Sequence, residues 1–220
     1  MHIAIDGPAG AGKSTIAKAL AKRLGLTYLD TGAMYRAVGL KALRLGLELS
    51  DGAALKAMLQ GTILRVERGK NGLDQRLFLD GEDVGSAIRS REVSLAASAV
   101  SAQRVVREWL VAMQQEIAKG QNIVMDGRDI GTKVLPQAEF KFFLTADDGI
   151  RAARRHLELR EKGENIALET VLSELRRRDL QDSTRAESPL VRAEGATVVD
   201  SGDLTIDEVV ELLLALMGRR

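Results

Sequence analysis

The residues Gly7-Pro8-Ala9-Gly10-Ala11-Gly12-Lys13-Ser14 follow the spacing of a phosphate-binding loop. Each residue type has a reason to be there. Glycines let the backbone wrap around an anion with its amide hydrogens turned inward. A helix starting near Lys13 adds the positive end of its dipole. Lys13 has the reach to meet β- and γ-phosphates, and the hydroxyl of Ser14, or of its neighbour Thr15, suits Mg²⁺. The chemistry implied is binding and transfer of nucleotide phosphates.

Three further groups carry arginine beside acidic residues. Asp30-Thr31-Gly32-Ala33-Met34-Tyr35-Arg36 follows one apolar run, and Asp126-Gly127-Arg128-Asp129 ends another. Arg176-Arg177-Arg178-Asp179 lies later, with Asp182 and Arg185 close behind. Transfer between two anionic reactants needs several arginines to neutralise them and a site that excludes water. Simpler readings exist singly: Thr31 as a helix cap, Arg128 and Asp129 as a mutual ion pair, the arginine run as a solvated helix face. All three would have to hold together. The chain has neither the Asp-x-x-Gly and Asn-Lys-x-Asp patterns of a GTPase nor the Ser-Gly-Gly signature of a transporter ATPase.

The elements that must position these groups alternate short apolar runs with helical periodicity, the pattern of a helix-covered parallel sheet. Core strands are expected at 2–6, 27–30, 122–126, 141–145 and 197–200. Ile16, Leu20 and Leu24 form one helical face that Gly25 can end. The segment 61–91 breaks the rhythm with two alternating runs around Asn71-Gly72, a hairpin signal. Val105, Val106, Trp109, Met113 and Ile117 give a later helix its apolar side. The segment 151–185, with eight Arg and one Lys, reads as two helices joined near Gly163.

The 220 residues suit one large α/β domain with insertions. A net charge of +1 argues against a general nucleic-acid binder. No cysteine is present, so disulfides and thiolate metal sites are excluded. No signal-peptide pattern or membrane-spanning run is visible, and a cytoplasmic monomer is expected. With two His in the chain, His2 and His156, a metal site built on histidine is not expected.

Together, Gly-Pro-Ala-Gly-Ala-Gly-Lys-Ser, Leu-Asp-Thr-Gly-Ala-Met-Tyr-Arg, Asp-Gly-Arg-Asp-Ile-Gly-Thr and Arg-Arg-Asp-x-x-Asp-Ser-x-Arg resemble the bacterial cytidylate kinases. The likeness runs over essentially the whole chain. It implies a three-layer α/β P-loop kinase fold with a parallel central sheet. The P-loop core would comprise 1–32, 120–150 and 186–220. A monophosphate-binding domain would cover 33–119, with the antiparallel insert at 61–91, and a helical lid 151–185. One departure is Ser14, where many relatives carry Gly.

The activity implied is ATP + CMP ⇌ ADP + CDP, with dCMP a second acceptor. An acceptor phosphate is already largely dianionic at neutral pH, so no general base is needed. By resemblance, Lys13, Arg128 and Arg185 are catalytic, and Arg36, Arg128 and Arg185 grip the acceptor phosphate. Gly7 to Thr15, with Arg154 and Arg155 of the lid, hold ATP, and Ser14 meets Mg²⁺. Asp129, Ser98 and Arg107 lie at the cytosine, Arg178 and Asp182 near the ribose, and Thr31 and Tyr35 complete the CMP site. Tyr35 either packs on the base or anchors its helix; Ser98 has an alternative as a small packing residue. Trp109 reads as packing. A kinase for a metabolite alcohol would instead need a carboxylate base, for which Asp30 is the placed candidate.

Overall fold

The computed structural model describes residues 1–68 and 75–218. The expected turn at Asn71-Gly72 lies outside them. In chain order the elements are β1 (His2–Asp6), α1 (Lys13–Leu24), β2 (Thr27–Asp30), α2 (Thr31–Arg44), α3 (Gly52–Gln60), β3 (Leu64–Arg68), β4 (Gln75–Leu79) and β5 (Glu82–Asp83). There follow α4 (Arg91–Ser101), α5 (Arg104–Ala118), β6 (Ile123–Gly127), β7 (Phe140–Thr145), α6 (Asp148–Glu161), α7 (Leu168–Thr184), β8 (Thr197–Asp200) and α8 (Ile206–Met217).

Five strands pair in parallel in the order β2-β6-β1-β7-β8. Side chains alternate across a strand, so β1 serves both faces. Ile3 and Ile5 pack with Leu20 of α1 and Leu213 of α8. Ala4 faces Met34 of α2 and Leu110 of α5. This is the expected three-layer architecture, with β1 at the centre and every strand ending on the same side. In open α/β sheets, the crevice beyond those carboxyl ends is where ligands bind.

The segment after α3 forms a three-stranded antiparallel sheet in the order β3-β4-β5. β5 was not foreseen: two exposed acidic residues carry no strand pattern. α6 and α7 pair around a small apolar cluster of Leu159, Val171 and Leu175, which also takes in Ala9 of the phosphate loop. Trp109 is partly buried against the main core, as expected.

Candidate active site

The phosphate loop leaves β1 at Gly7, where φ is 150° and a Cβ would fall 1.9 Å from the Leu144 carbonyl oxygen. No other residue fits there. α1 begins at Lys13, so the loop's amides and the helix N-terminus lie side by side. Lys13 Nζ donates to the Pro8 carbonyl at 2.6 Å. Burial, with Arg128 nearby, holds its ammonium well below the ordinary lysine range.

The neighbouring strand end supplies Asp126, to which no motif spacing assigns a role. Ser14 Oγ donates to Asp126 Oδ2 at 2.8 Å, and Tyr28 donates to Oδ1 at 2.8 Å. Burial, then the negative Asp30, pushes this carboxyl up to about 6. Thr31 is not the cap of α2: Asp30 accepts from Ala33 N at 2.8 Å, and Thr31 Oγ1 donates to the Asp126 carbonyl at 2.7 Å. Asp30 also pairs with Arg36 at 2.8 Å. Gln75 of β4 braces it, its Oε1 accepting from Asp30 N at 2.7 Å.

Arg128 and Asp129 do not pair with each other. Each pairs with a different helix, and the residues that follow are tied down. Asp6 accepts from Ile130 N at 2.8 Å and Gly131 N at 2.7 Å, holding the π-helical turn Ile130–Val134. Arg128 Nε donates to Asp182 of α7 at 2.8 Å. Asp129 takes Arg107 of α5 at 2.5 Å in a pair whose side chains are 4% and 5% exposed. The Arg107 guanidinium lies 5.3 Å from the Tyr35 ring centroid.

Asp182 is shared, since Arg185 Nη1 also donates to it at 3.2 Å. Burial alone would raise this carboxyl, but Arg128, Arg178 and Arg185 hold it below the usual range. Burial, with Arg128 close by, lowers Arg178 to about 10. Several buried donors have no hydrogen-bond partner: Arg185 Nη2, Arg178 Nε, Arg107 Nε and the Tyr35 hydroxyl. Buried polar atoms rarely stay so, and here they border one cleft.

That cleft has a volume of about 290 Å³. It brings together the loop residues Ala9, Gly10, Gly12, Lys13, Ser14 and Thr15 with the acceptor-side set. Thr31, Tyr35, Arg36, Arg107, Arg128 and Asp129 enter from one side, and Arg155, Arg178, Asp182 and Arg185 from the other. Five expected residues are not on its lining: Gly7, Pro8 and Ala11 of the loop, Ser98 and Arg154. Ser98 lines an adjoining cavity of about 380 Å³ between α4, α6 and α7, where its Oγ meets Gln181 at 3.4 Å. Its neighbour one turn on, Ser101, lines the cleft instead. Arg154 turns from the cleft and donates to the carbonyls of Ser201 at 2.7 Å and Gly202 at 3.0 Å.

A five-stranded parallel sheet, a phosphate loop at the end of its central strand and an arginine-lined cleft beside it define a P-loop kinase. Solved structures of similar fold agree. A shikimate kinase from Bacteroides thetaiotaomicron matches with a TM-score of 0.51 at 15% identity, over 99% of this chain and 98% of that one. A gluconokinase from Sinorhizobium meliloti matches with a TM-score of 0.50 at 16% identity, over 99% and 91%. At such identities the likeness shows the fold alone. Sequence is more specific: the cytidylate kinase family model matches residues 3–219. The chain is 55% identical over 213 residues to a cytidylate kinase of Caldanaerobacter subterraneus, covering 96% of this chain and 92% of that protein. It is 51% identical over 216 residues to one from Shouchella clausii, covering 98% and 95%. The chain therefore belongs to the cytidylate kinase family.

Proposed function

We propose that the chain transfers the γ-phosphoryl group of ATP to CMP, and to dCMP as a second acceptor, giving ADP and CDP or dCDP. The observation that carries this reading is the set of buried, unpartnered donors of Arg178, Arg185, Arg107 and Tyr35 around the cleft that Lys13 enters. An acceptor carrying a phosphate, a ribose and a hydrogen-bonding base would satisfy them.

Lys13 and the loop amides hold the donor phosphates, with Arg155 the lid arginine at the cleft. Arg36, Arg128 and Arg185 bind the acceptor phosphate, exchanging their present carboxylate partners Asp30 and Asp182 for phosphate oxygens. Asp129, fixed by Arg107, accepts from the cytosine amino group. Arg178 and Asp182 border the ribose. Ser101, in the cleft, is better placed than Ser98 for base contact, and Arg154 serves the loop after β8.

The Ser14 hydroxyl and Asp126 carboxylate form an oxygen donor pair suited to Mg²⁺, with Thr15 beside them in the cleft. When bound, Mg²⁺ neutralises charge on the ATP phosphates. The chain's own contribution is positioning and charge neutralisation with no general base. Asp30 is a poor candidate for one, since its two oxygens are taken by Ala33 N and Arg36. That disfavours a metabolite-alcohol kinase.

The proposal divides the chain into a P-loop core, an acceptor-binding domain at 33–119 and a lid at 151–185. It keeps the expectation of a cytoplasmic monomer. No described helix is long and apolar enough to cross a membrane. A coupled ADP-release assay with CMP, dCMP, UMP, AMP, GMP or no acceptor tests the function. Turnover with CMP and dCMP well above the others is expected. Turnover independent of acceptor, or highest with a purine monophosphate, would overturn it.

A further inference from the structure

The crest of the phosphate loop is gripped from behind by the helix pair that follows β7. Arg151, in the first turn of α6, is 7% exposed and donates through Nη1 to the Ala9 carbonyl at 2.9 Å. The same group meets Asp179 Oδ2 of α7 at 2.5 Å, and Arg151 Nε donates to the Ala146 carbonyl at 2.9 Å. Asp179 Oδ1 in turn accepts from Ala9 N at 3.2 Å. Both backbone groups of Ala9 are thus bound by one ion pair. The fit extends to Gly10, where a Cβ would lie 3.1 Å from Arg151 Cβ and 3.3 Å from its carbonyl oxygen. The Ala9 side chain, 6% exposed, packs with Ala152, Leu159, Val171 and Leu175.

A loop with Gly7, Gly10 and Gly12 at positive φ has little conformational preference of its own. Its amides bind phosphate well only if something holds them in place beforehand, since ordering a loose loop subtracts from affinity. Neither Arg151 nor Asp179 lines the cleft. Their influence on a bound nucleotide must therefore pass through Ala9 and Gly10.

We propose that Arg151 and Asp179 are positioning residues for the donor nucleotide, a clamp that sets the phosphate loop from the α6–α7 pair. The base of that pair then moves with the loop, and ATP affinity depends on its docking. This rests on the kinase reading for its acceptor control, but ATP binding alone decides it.

The test is calorimetric titration of Asp179→Ala with Mg-ATP and, separately, with CMP, alongside the unaltered protein, with thermal melts to confirm folding. The clamp predicts an ATP Kd raised about tenfold or more, with the CMP Kd within about twofold. An unchanged ATP Kd in a folded variant would overturn it. So would an equal loss for both ligands, the mark of general damage. If the unaltered protein binds ATP and not CMP, the acceptor reading fails while the ATP result still judges the clamp. Should Asp179→Ala not fold, Arg151→Lys replaces it. An ammonium carries its donors on one atom and does not reproduce the separate Nε and Nη1 positions that serve Ala146 and the Ala9–Asp179 pair. The same split between ATP and CMP is expected, and its absence contradicts the proposal.

Discussion

At Lys13 the protein keeps a buried ammonium on the Pro8 carbonyl, in a place where burial works against its charge. Such a group is costly in the resting site and useful when negative charge gathers on a transferring phosphoryl. Lys13→Ala should therefore fold normally and lose roughly 100- to 1000-fold in kcat, the scale for one preorganised charge-stabilising donor. Kinetics at saturating ATP and CMP, with a thermal melt as control, check this. Asp129 makes a second prediction. Its Oδ2 is held by Arg107, and an ionised carboxylate can only accept, so it attracts the cytosine amino group and repels the uracil carbonyl. Asp129→Asn nearly keeps the shape and can turn a donor to the base. The CMP-to-UMP ratio of kcat/KM should fall about 100-fold; an unchanged ratio would make Asp129 a holder of Arg107 and nothing more. These residues were legible because their blocks are contiguous in sequence. Their partners were not. Arg128 finds Asp182, 54 residues away, rather than its neighbour, because the approach of α7 decides the pairing.

The elements were legible where periodicity is strong and less so where a single side chain sets the backbone. All five parallel strands were visible as apolar runs, with shifts of one residue at β6 and β7. The turn after β6 was not, since it exists through Asp6, 124 residues earlier in the chain. Burial raises this carboxyl from 3.8 to about 6, against the two amide hydrogen bonds that lower it. The native state thus holds the proton more tightly than the unfolded chain. The stability Asp6 contributes is fully present below the unfolded value and is lost as the pH rises through the folded one. The cost of Asp6→Asn should be greatest near about pH 4 and shrink by up to about 3 kcal/mol by about pH 7. Urea unfolding of both proteins across that range measures it. A constant difference would mean that Asp6 ionises in the fold as it does in the unfolded chain.

Across the whole molecule, the sheet gathers loops from β1, β2 and β6 at one end, and the α6–α7 pair closes the other side of the cleft. Ion pairing between Arg91 and Glu174, with Gln181 donating to the Ser98 carbonyl at 3.0 Å, fastens α4 to α7. This explains why Ser98 faces α7. The sequence showed which helix carries it, and tertiary packing chose the face. A cleft bounded on both sides in this way suits direct transfer between two bound nucleotides with water kept out. The most direct test follows the phosphoryl group itself. ATP labelled at its γ-phosphate is incubated with CMP and the enzyme, and the label is traced. Label is expected in the β-phosphate of CDP, mole for mole with ADP. Label appearing in inorganic phosphate instead, or ADP formed at the same rate without CMP, would contradict it.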